Sequence, residues 1–261
     1  MKVLTADFIT SASAGGSVTG VPRDGLPQIA MTGRSNVGKS TLLNALCRSK
    51  IARTSAAPGK TRLANIYRLT VEGGGPGKWS LYLVDLPGYG YARGGADSAE
   101  ELRAVAEAYF LGPSTLLGAD PEQRRRGGTR DSGLGTRNSG ARGPNEGSEP
   151  RTPSPDPSTG LRVSPEHRRG AEPRHALLLV DSRHPGLNAD VQAANWLSAM
   201  GVDFHVVATK IDKLTRTERA RNMKALELTL GKPPLPVSAA DGEGLDALWK
   251  TIASLARTAR A

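Results

Sequence analysis

Gln28-Ile29-Ala30-Met31-Thr32-Gly33-Arg34-Ser35-Asn36-Val37-Gly38-Lys39-Ser40-Thr41-Leu42-Leu43 is the stretch that decides the fold. Residues 28–32 read as a short buried strand. Residues 39–49 read as a helix, with Leu42, Leu43 and Leu46 on one face. The loop between them, residues 33–40, fits the pattern G-x-x-x-x-G-K-[ST] in the strand-turn-helix context that a phosphate-binding loop requires. Glycines let successive backbone N–H groups turn inward around a β-phosphate, and the helix N-terminus adds partial positive charge. Lys39 then reaches the β- and γ-phosphates, and the Ser40 hydroxyl ligates magnesium. ATP and GTP are both open at this point.

Outward from this loop, strand-like runs alternate with helical patterns, which predicts an α/β fold, doubly wound on a mostly parallel six-stranded sheet with one antiparallel edge strand. Residues 64–71 and 79–84 flank the turn EGGGPGK and are expected to form an antiparallel hairpin at a sheet edge. Residues 98–111 read as a helix. The runs 176–180 (ALLLV) and 204–208 (FHVVA) read as strands buried on both faces, separated by a helix over 188–200. Helices over 215–230 and 245–256 surround a short strand at 235–237. Residues 1–26 are expected to be an N-terminal extension to a domain running from 27 to 261.

One block differs in composition from its surroundings. Residues 112–175 hold 11 Gly, 9 Pro, 11 Arg, no Lys and 8 acidic residues in 64, too few apolar side chains to offset the entropy of ordering, so the block is expected to be a disordered insert within one domain. Closure entropy grows only logarithmically with loop length, so such an insert is tolerated. An Arg-rich arm for RNA is the functional alternative, weakened by a net charge of only +3.

The whole chain of 261 residues, 38% hydrophobic, can build a core, which excludes wholesale disorder. Its formal charge of +10 suits a polyanionic partner such as nucleic acid or ribosome, or an ordinary basic enzyme. The single Cys47 excludes an internal disulfide and, with four scattered histidines, leaves no zinc-like cluster. Cys47 is expected to be a small core residue. No run approaches the length of a membrane span and the N-terminus lacks a signal-peptide core, so a soluble protein of the cytoplasm is expected.

Thr209-Lys210-Ile211-Asp212 follows the FHVVA strand, where a loop faces a base across the carboxyl ends of the strands. Guanine presents two neighbouring donors, N1–H and the 2-amino group, which one Asp212 carboxylate accepts together; adenine offers no such pair. Lys210 would lay its stem along the base, and Val237-Ser238-Ala239 would supply a backbone N–H to guanine O6. Behind a phosphate loop, this combination points to GTP. Asp85-Leu86-Pro87-Gly88 ends a strand, so that Asp85 holds magnesium through a water and the Gly88 N–H touches the γ-phosphate. Thr61, in Pro58-Gly59-Lys60-Thr61-Arg62, adds a hydroxyl to that magnesium while the γ-phosphate is present.

GRSNVGKST, PGKTR, DLPGYGYA, LLLVDSRHPG, TKIDK and VSA, in this order, resemble the motifs of the EngB (YihA or YsxC) family of bacterial ribosome-biogenesis GTPases, and the opening MKVLTADFITSA resembles bacterial members. The resemblance runs from about Ala6 to the C-terminus except for the insert. It implies a P-loop GTPase fold of Ras-like type. Phosphates would meet Gly33, Arg34, Ser35, Asn36, Val37, Gly38, Lys39 and Ser40, with Gly59, Lys60, Thr61, Arg62 and Leu63 in the adjoining switch. Ser40 and Thr61 would ligate Mg2+, Asp85, Leu86, Pro87 and Gly88 would sense the γ-phosphate, and Thr209, Lys210, Ile211, Asp212, Val237, Ser238 and Ala239 would hold guanine. Lys39, Thr61 and Gly88 would carry the hydrolysis. The resemblance further implies a monomer that works on the large ribosomal subunit or its precursor, through rRNA and ribosomal proteins, with a part in cell division and septation.

Tyr89 follows Gly88 where many GTPases carry a water-orienting glutamine, which predicts slow intrinsic hydrolysis and dependence on a partner. Asn36 either holds K+ beside the phosphates or satisfies the loop backbone. Arg34, Lys60, Arg62, Arg68 and Arg93 on the switch surface, and Arg216, Arg219, Arg221 and Lys224 on one helix, are candidate rRNA contacts or simply solvated charge. His184 is expected to support its loop. A nucleotide-dependent interaction protein of the division site with negligible turnover is the alternative function, and an ATP-driven enzyme is disfavoured by Asp212.

Overall fold

The strand that leads into the phosphate loop lies at the centre of the sheet. The computed structural model describes residues 1–12, 21, 22, 24–52, 63–74, 77–89, 96–111 and 175–259, and of 96–102 and 111 the backbone alone. The elements are β1 (Lys2–Ala12), β2 (Gln28–Gly33), α1 (Lys39–Cys47), β3 (Ala64–Glu72), β4 (Lys78–Asp85), α2 (Ala96–Leu111), β5 (His175–Asp181), α3 (Asn188–Ala199), β6 (Asp203–Thr209), α4 (Arg216–Leu230), β7 (Leu235–Pro236) and α5 (Leu245–Thr258). The strands form one sheet in the order β1-β3-β4-β2-β5-β6-β7. β2 pairs parallel with β4 on one side and β5 on the other, β5 with β6 and β6 with β7.

Two expectations are corrected here. The sheet has seven strands, not six, because residues 2–12, expected to be part of an extension, form a strand paired antiparallel to β3. The β3-β4 hairpin therefore lies inside the edge. β1 shows no clean apolar face, and its register slips between Val3 and Thr5 and again between Phe8 and Thr10, which breaks the strict period of two that marks a strand in sequence. At its other boundary the insert expected over 112–175 gives up His175, the first residue of β5, and residues 112–174 lie outside the described residues.

Alternation along the strands sorts the core into two layers. Ile29 and Met31 of β2 join Leu42, Leu43, Leu46, Cys47, Leu248 and Ile252 on the α1 and α5 side. Ala30, Leu178, Val180 and Val206 join Val105, Tyr109 and Leu197 on the α2 and α3 side. Burial on both faces explains the near-continuous apolar runs of β2 and β5, whereas β6, expected to be buried on both faces, is so only from Val206 onward, with His205 exposed. Leu42, Leu43 and Leu46 are fully buried, and each such side chain contributes roughly 2 kcal/mol, which fixes α1 beneath the loop it follows. α1 stops two residues earlier than the sequence suggests because Arg48 takes a left-handed conformation and closes the helix with its N–H on the Ala45 and Asn44 carbonyls. α4 starts from a reciprocal capping box between Thr215 and Glu218. Cys47 is buried, and burial pushes its thiol up to about 12, as expected of an inert core residue. Among the described residues no helix is long and apolar enough to cross a membrane.

Candidate functional site

The carboxyl ends of β2, β4, β5 and β6 meet at one edge, and the loops leaving them form the site. Residues 33–40 wrap back on themselves, with Asn36 at φ 63° and Gly38 at φ 107°, and the Val37 N–H donates to the Arg34 carbonyl at 3.2 Å. Gly38 is the N-cap of α1 and no side chain caps the helix. The first-turn N–H groups of α1 are therefore offered to the loop's interior, with the positive end of the helix dipole behind them. Lys39 reaches back so that its Nζ lies 3.4 Å from the Gly33 carbonyl.

Asp85 ends β4 opposite Met31 of β2 and is buried. The Ser40 hydroxyl lies 3.4 Å from its Oδ2, and its Oδ1 has no hydrogen-bond partner among the described residues. Burial pushes the Asp85 carboxyl up, with Lys39 and Ser40 opposing, and pushes the Lys39 ammonium down, with Asp85 opposing. An orphaned buried carboxylate oxygen beside a serine hydroxyl is a hard-oxygen donor set, which fits Mg2+, an ion that takes only one or two protein oxygens alongside substrate phosphates. Leu86 and Pro87 are buried, and the Leu86 N–H donates to the Met31 carbonyl at 3.0 Å, pinning the start of the turn to β2. At Gly88 a Cβ would lie 3.0 Å from the Ser35 nitrogen and 3.1 Å from Lys39 Nζ, so a side chain would press on the phosphate loop.

On the other flank, Thr209 ends β6 and sends its hydroxyl to the Val37 and Val180 carbonyls at 2.8 and 3.1 Å. Lys210, in a left-handed conformation at φ 60°, donates to the Asn36 carbonyl at 2.6 Å and to Asp181 Oδ2 at 3.0 Å. Ile211 is buried beneath the turn. Asp212 accepts from the Ser238 hydroxyl at 3.0 Å on Oδ1 and pairs with Lys213 at 3.1 Å on Oδ2. Slight burial works against the charge, but the Lys213 and Ser238 contacts outweigh it and hold the Asp212 carboxyl low. Val237 is tied by its N–H to the Ala208 carbonyl at 2.8 Å, and Ser238 to Glu243 at 2.9 Å. A cavity of about 200 Å³ opens between the two motifs, lined by Val37, Thr41, Lys210, Asp212, Val237 and Ala239.

The phosphate loop, Asp85 to Gly88, the Lys210 turn and the Ser238 segment are thus brought together as expected. Of the switch residues, Gly59, Lys60, Thr61 and Arg62 lie outside the described residues, as does Arg93, and Leu63 is exposed immediately before β3. Arg34 is turned inward, its Nε 3.1 Å from Asp190 Oδ1, so it does not join the free basic surface expected of it; Arg68, Arg216, Arg221 and Lys224 are exposed. Asn36 is exposed, and its side chain takes no hydrogen bond among the described residues. His184 is exposed, and its N–H closes the loop on the Asp181 carbonyl at 3.0 Å.

Sequence reasoning passed over two aspartates. Asp181 accepts from Arg183 through Nε and Nη2 at 2.9 and 2.7 Å as well as from Lys210. Burial alone would raise its carboxyl, yet these donors outweigh burial and hold it below the ordinary carboxylate range. Asp190, in the first turn of α3, is 1% exposed. An acidic residue closing an otherwise apolar strand was the available sign for Asp181.

A phosphate loop on one flank and an aspartate-lined cavity on the other fit a P-loop GTPase, and residues 28–114 match the family model described as a 50S ribosome-binding GTPase. The probable GTP-binding protein EngB of Pelotomaculum thermopropionicum is 34% identical over 97% of this chain and 96% of its own length. The probable GTP-binding protein EngB of Solibacter usitatus is 32% identical over 97% and 96%. The chain belongs to the EngB family of GTP-binding proteins. A crystal structure of a probable GTP-binding protein EngB is similar with a TM-score of 0.50 at 18% identity, over 88% of this chain and 99% of that one, a likeness of fold.

Proposed function

We propose that this GTPase is a molecular switch of large ribosomal subunit assembly: the GTP form binds the subunit or its precursor and hydrolysis releases it. The observation that carries the nucleotide reading is the clasp of Thr209 and Lys210 on the Val37 and Asn36 carbonyls, which sets the Asp212 cavity against the phosphate loop. One guanosine triphosphate then spans both. Its base lies in the cavity, donating N1–H and the 2-amino group to Asp212, with O6 toward the backbone of residues 237–239. Its phosphates take the backbone N–H groups of residues 33–40 and the Lys39 ammonium.

Ser40 and Thr61 are the residues that would hold Mg2+, with Asp85 acting through a water; the ion supplies charge neutralisation between the β- and γ-phosphates. Gly88 offers its N–H to the γ-phosphate, and Thr61 and Gly88 release when that group is lost. K+ beside the exposed Asn36 would add fixed positive charge, and faster hydrolysis in potassium than in sodium buffer is the outcome that supports it. No glutamine follows Gly88, so intrinsic turnover is slow and the activating group comes from the partner, a contribution of about 10³ to 10⁵ in rate.

The basic character of the chain, at +10, and the exposed Arg216, Arg221 and Lys224 on α4 suit a phosphate-rich partner in the cytoplasm, and the description of the matching family, 50S ribosome-binding, suits the same partner. A part in normal cell division and septation is proposed with it, from the family resemblance. Co-sedimentation with 50S particles tests the function: binding in the presence of a non-hydrolysable GTP analogue, loss with GDP and steep weakening with salt are expected. Equal binding in both nucleotide states would sink the switch.

A further inference from the structure

The segment that follows the γ-phosphate-contacting turn is anchored to a buried side chain that the nucleotide does not need. Asp190 Oδ1 accepts from the Tyr89 hydroxyl and from Arg34 Nε, each at 3.1 Å. Arg34 is the second residue of the phosphate loop, Tyr89 the first after Gly88, and Asp190 belongs to neither motif. The same two segments also meet through their backbones. The Ser35 N–H donates to the Tyr89 carbonyl at 3.0 Å, and Arg34 and Tyr89 form a parallel bridge. Gly88 is therefore held from both sides, by Leu86 on β2 behind it and by Tyr89 on the phosphate loop ahead.

The pattern is more than an ordinary core ion pair. A buried carboxylate satisfied by Arg34 alone would need nothing from Tyr89, yet two donors converge on one oxygen while Oδ2 meets no partner among the described residues. The Tyr89 ring packs against the α2 and α3 side of the core, so the hydroxyl reaches Asp190 with its rotamer already restricted. Charge-assisted hydrogen bonds of this kind, out of water, are the strong ones.

We propose that Asp190 is a positioning residue for γ-phosphate recognition: by holding Tyr89 and Arg34 on one buried oxygen it sets where the Gly88 N–H sits against the phosphate loop, and so tunes the preference for GTP over GDP. This rests on the guanine-nucleotide reading above. GDP lacks the group that Gly88 meets, so the Tyr89 arm of the anchor acts on GTP affinity and leaves GDP affinity alone. A residue that merely supported the fold would weaken both nucleotides together.

The test is competition of GDP and a non-hydrolysable GTP analogue against a fluorescent GDP, on the full chain and its Tyr89→Phe, Asp190→Asn and doubly substituted variants. Tyr89→Phe removes one hydroxyl and keeps the ring. Its expected effect is a loss of about tenfold in the GTP-to-GDP affinity ratio, with GDP affinity within twofold of the parent. The double variant is expected to lose less than the sum of the two single losses, because both weaken the one Tyr89–Asp190 contact while Asp190→Asn also takes the charged partner from Arg34. An unchanged ratio, a parallel loss of both affinities, or additive losses would each overturn the proposal. If Asp190→Asn does not fold, Tyr89→Phe alone decides it. A parent protein with no preference for guanine over adenine nucleotides would instead bring down the nucleotide reading itself, while a guanine-specific parent with an indifferent Tyr89→Phe variant brings down the anchor only.

Discussion

The two flanks of the phosphate loop are held by different means. On the base side, Thr209 and Lys210 grasp main-chain carbonyls, of Val37 and Asn36, and Lys210 is itself steadied by Asp181. On the switch side, the loop gives up a side chain, Arg34, and one N–H, from Ser35, to Asp190 and Tyr89. The base-side contacts involve nothing that differs between GTP and GDP. The switch-side contacts adjoin Gly88, the residue proposed to meet the γ-phosphate. On the proposed reading one flank serves retention of the nucleotide and the other discrimination of its phosphate number, and substitutions on the two flanks should separate these quantities.

Asp212→Asn carries the largest expected effect. An amide cannot accept both guanine donors, so GTP and GDP affinities should fall together by about 100-fold while xanthine nucleotides gain, since the amide can donate to the 2-oxo group. Titration with the four nucleotides checks this, and an altered GTP-to-GDP ratio would blur the two flanks. Gly88→Ala comes next and should do the reverse. A methyl group 3.0 Å from the Ser35 nitrogen pushes the turn and the loop apart by a few tenths of an ångström, so the GTP analogue should lose about tenfold against GDP and single-turnover hydrolysis should drop further. Equal losses for both nucleotides would place Gly88 with the retaining flank.

Asp181→Asn is expected to act more weakly, lowering GTP and GDP affinity alike by about fivefold as Lys210 loses its charged partner. Its stability effect has a definite sign. The Asp181 carboxyl is held below its ordinary range in the folded protein, so the stabilisation is fully present above the unfolded value of roughly 4 and is lost as pH falls through the lower folded value. Thermal melts of parent and variant should accordingly differ most above about pH 5 and converge as the solution is acidified below about pH 4. A constant gap across that range would show that Asp181 contributes no charge-dependent stability.

Legibility in the sequence followed the length scale of each interaction. The phosphate loop and the Lys210 turn declare themselves because their chemistry is written in four to eight neighbouring residues, and a backbone cradle needs particular residue types at fixed spacing. β2 and β5 were equally plain, since strands buried on both faces need apolar side chains nearly throughout, and β6 shows the same from Val206 onward. β1 was not, because an edge strand with shifted register has no face to advertise. The roles of Arg34 and Tyr89 were misread or missed for another reason. Their common partner lies 156 residues from one and 101 from the other, and nothing local distinguishes an arginine that faces solvent from one that finds a buried carboxylate.

Sequence alone determined the strand-loop-helix nucleus, the class of nucleotide site and the aspartate proposed to read the base, because each depends on short-range geometry that particular residues impose on their own backbone. Tertiary structure decided the seventh strand, the inward turn of Arg34 and the two aspartates that brace the phosphate loop from either side. Those depend on which strand ends the sheet brings together, and a doubly wound sheet sets residues far apart in the chain side by side at the carboxyl edge of its strands.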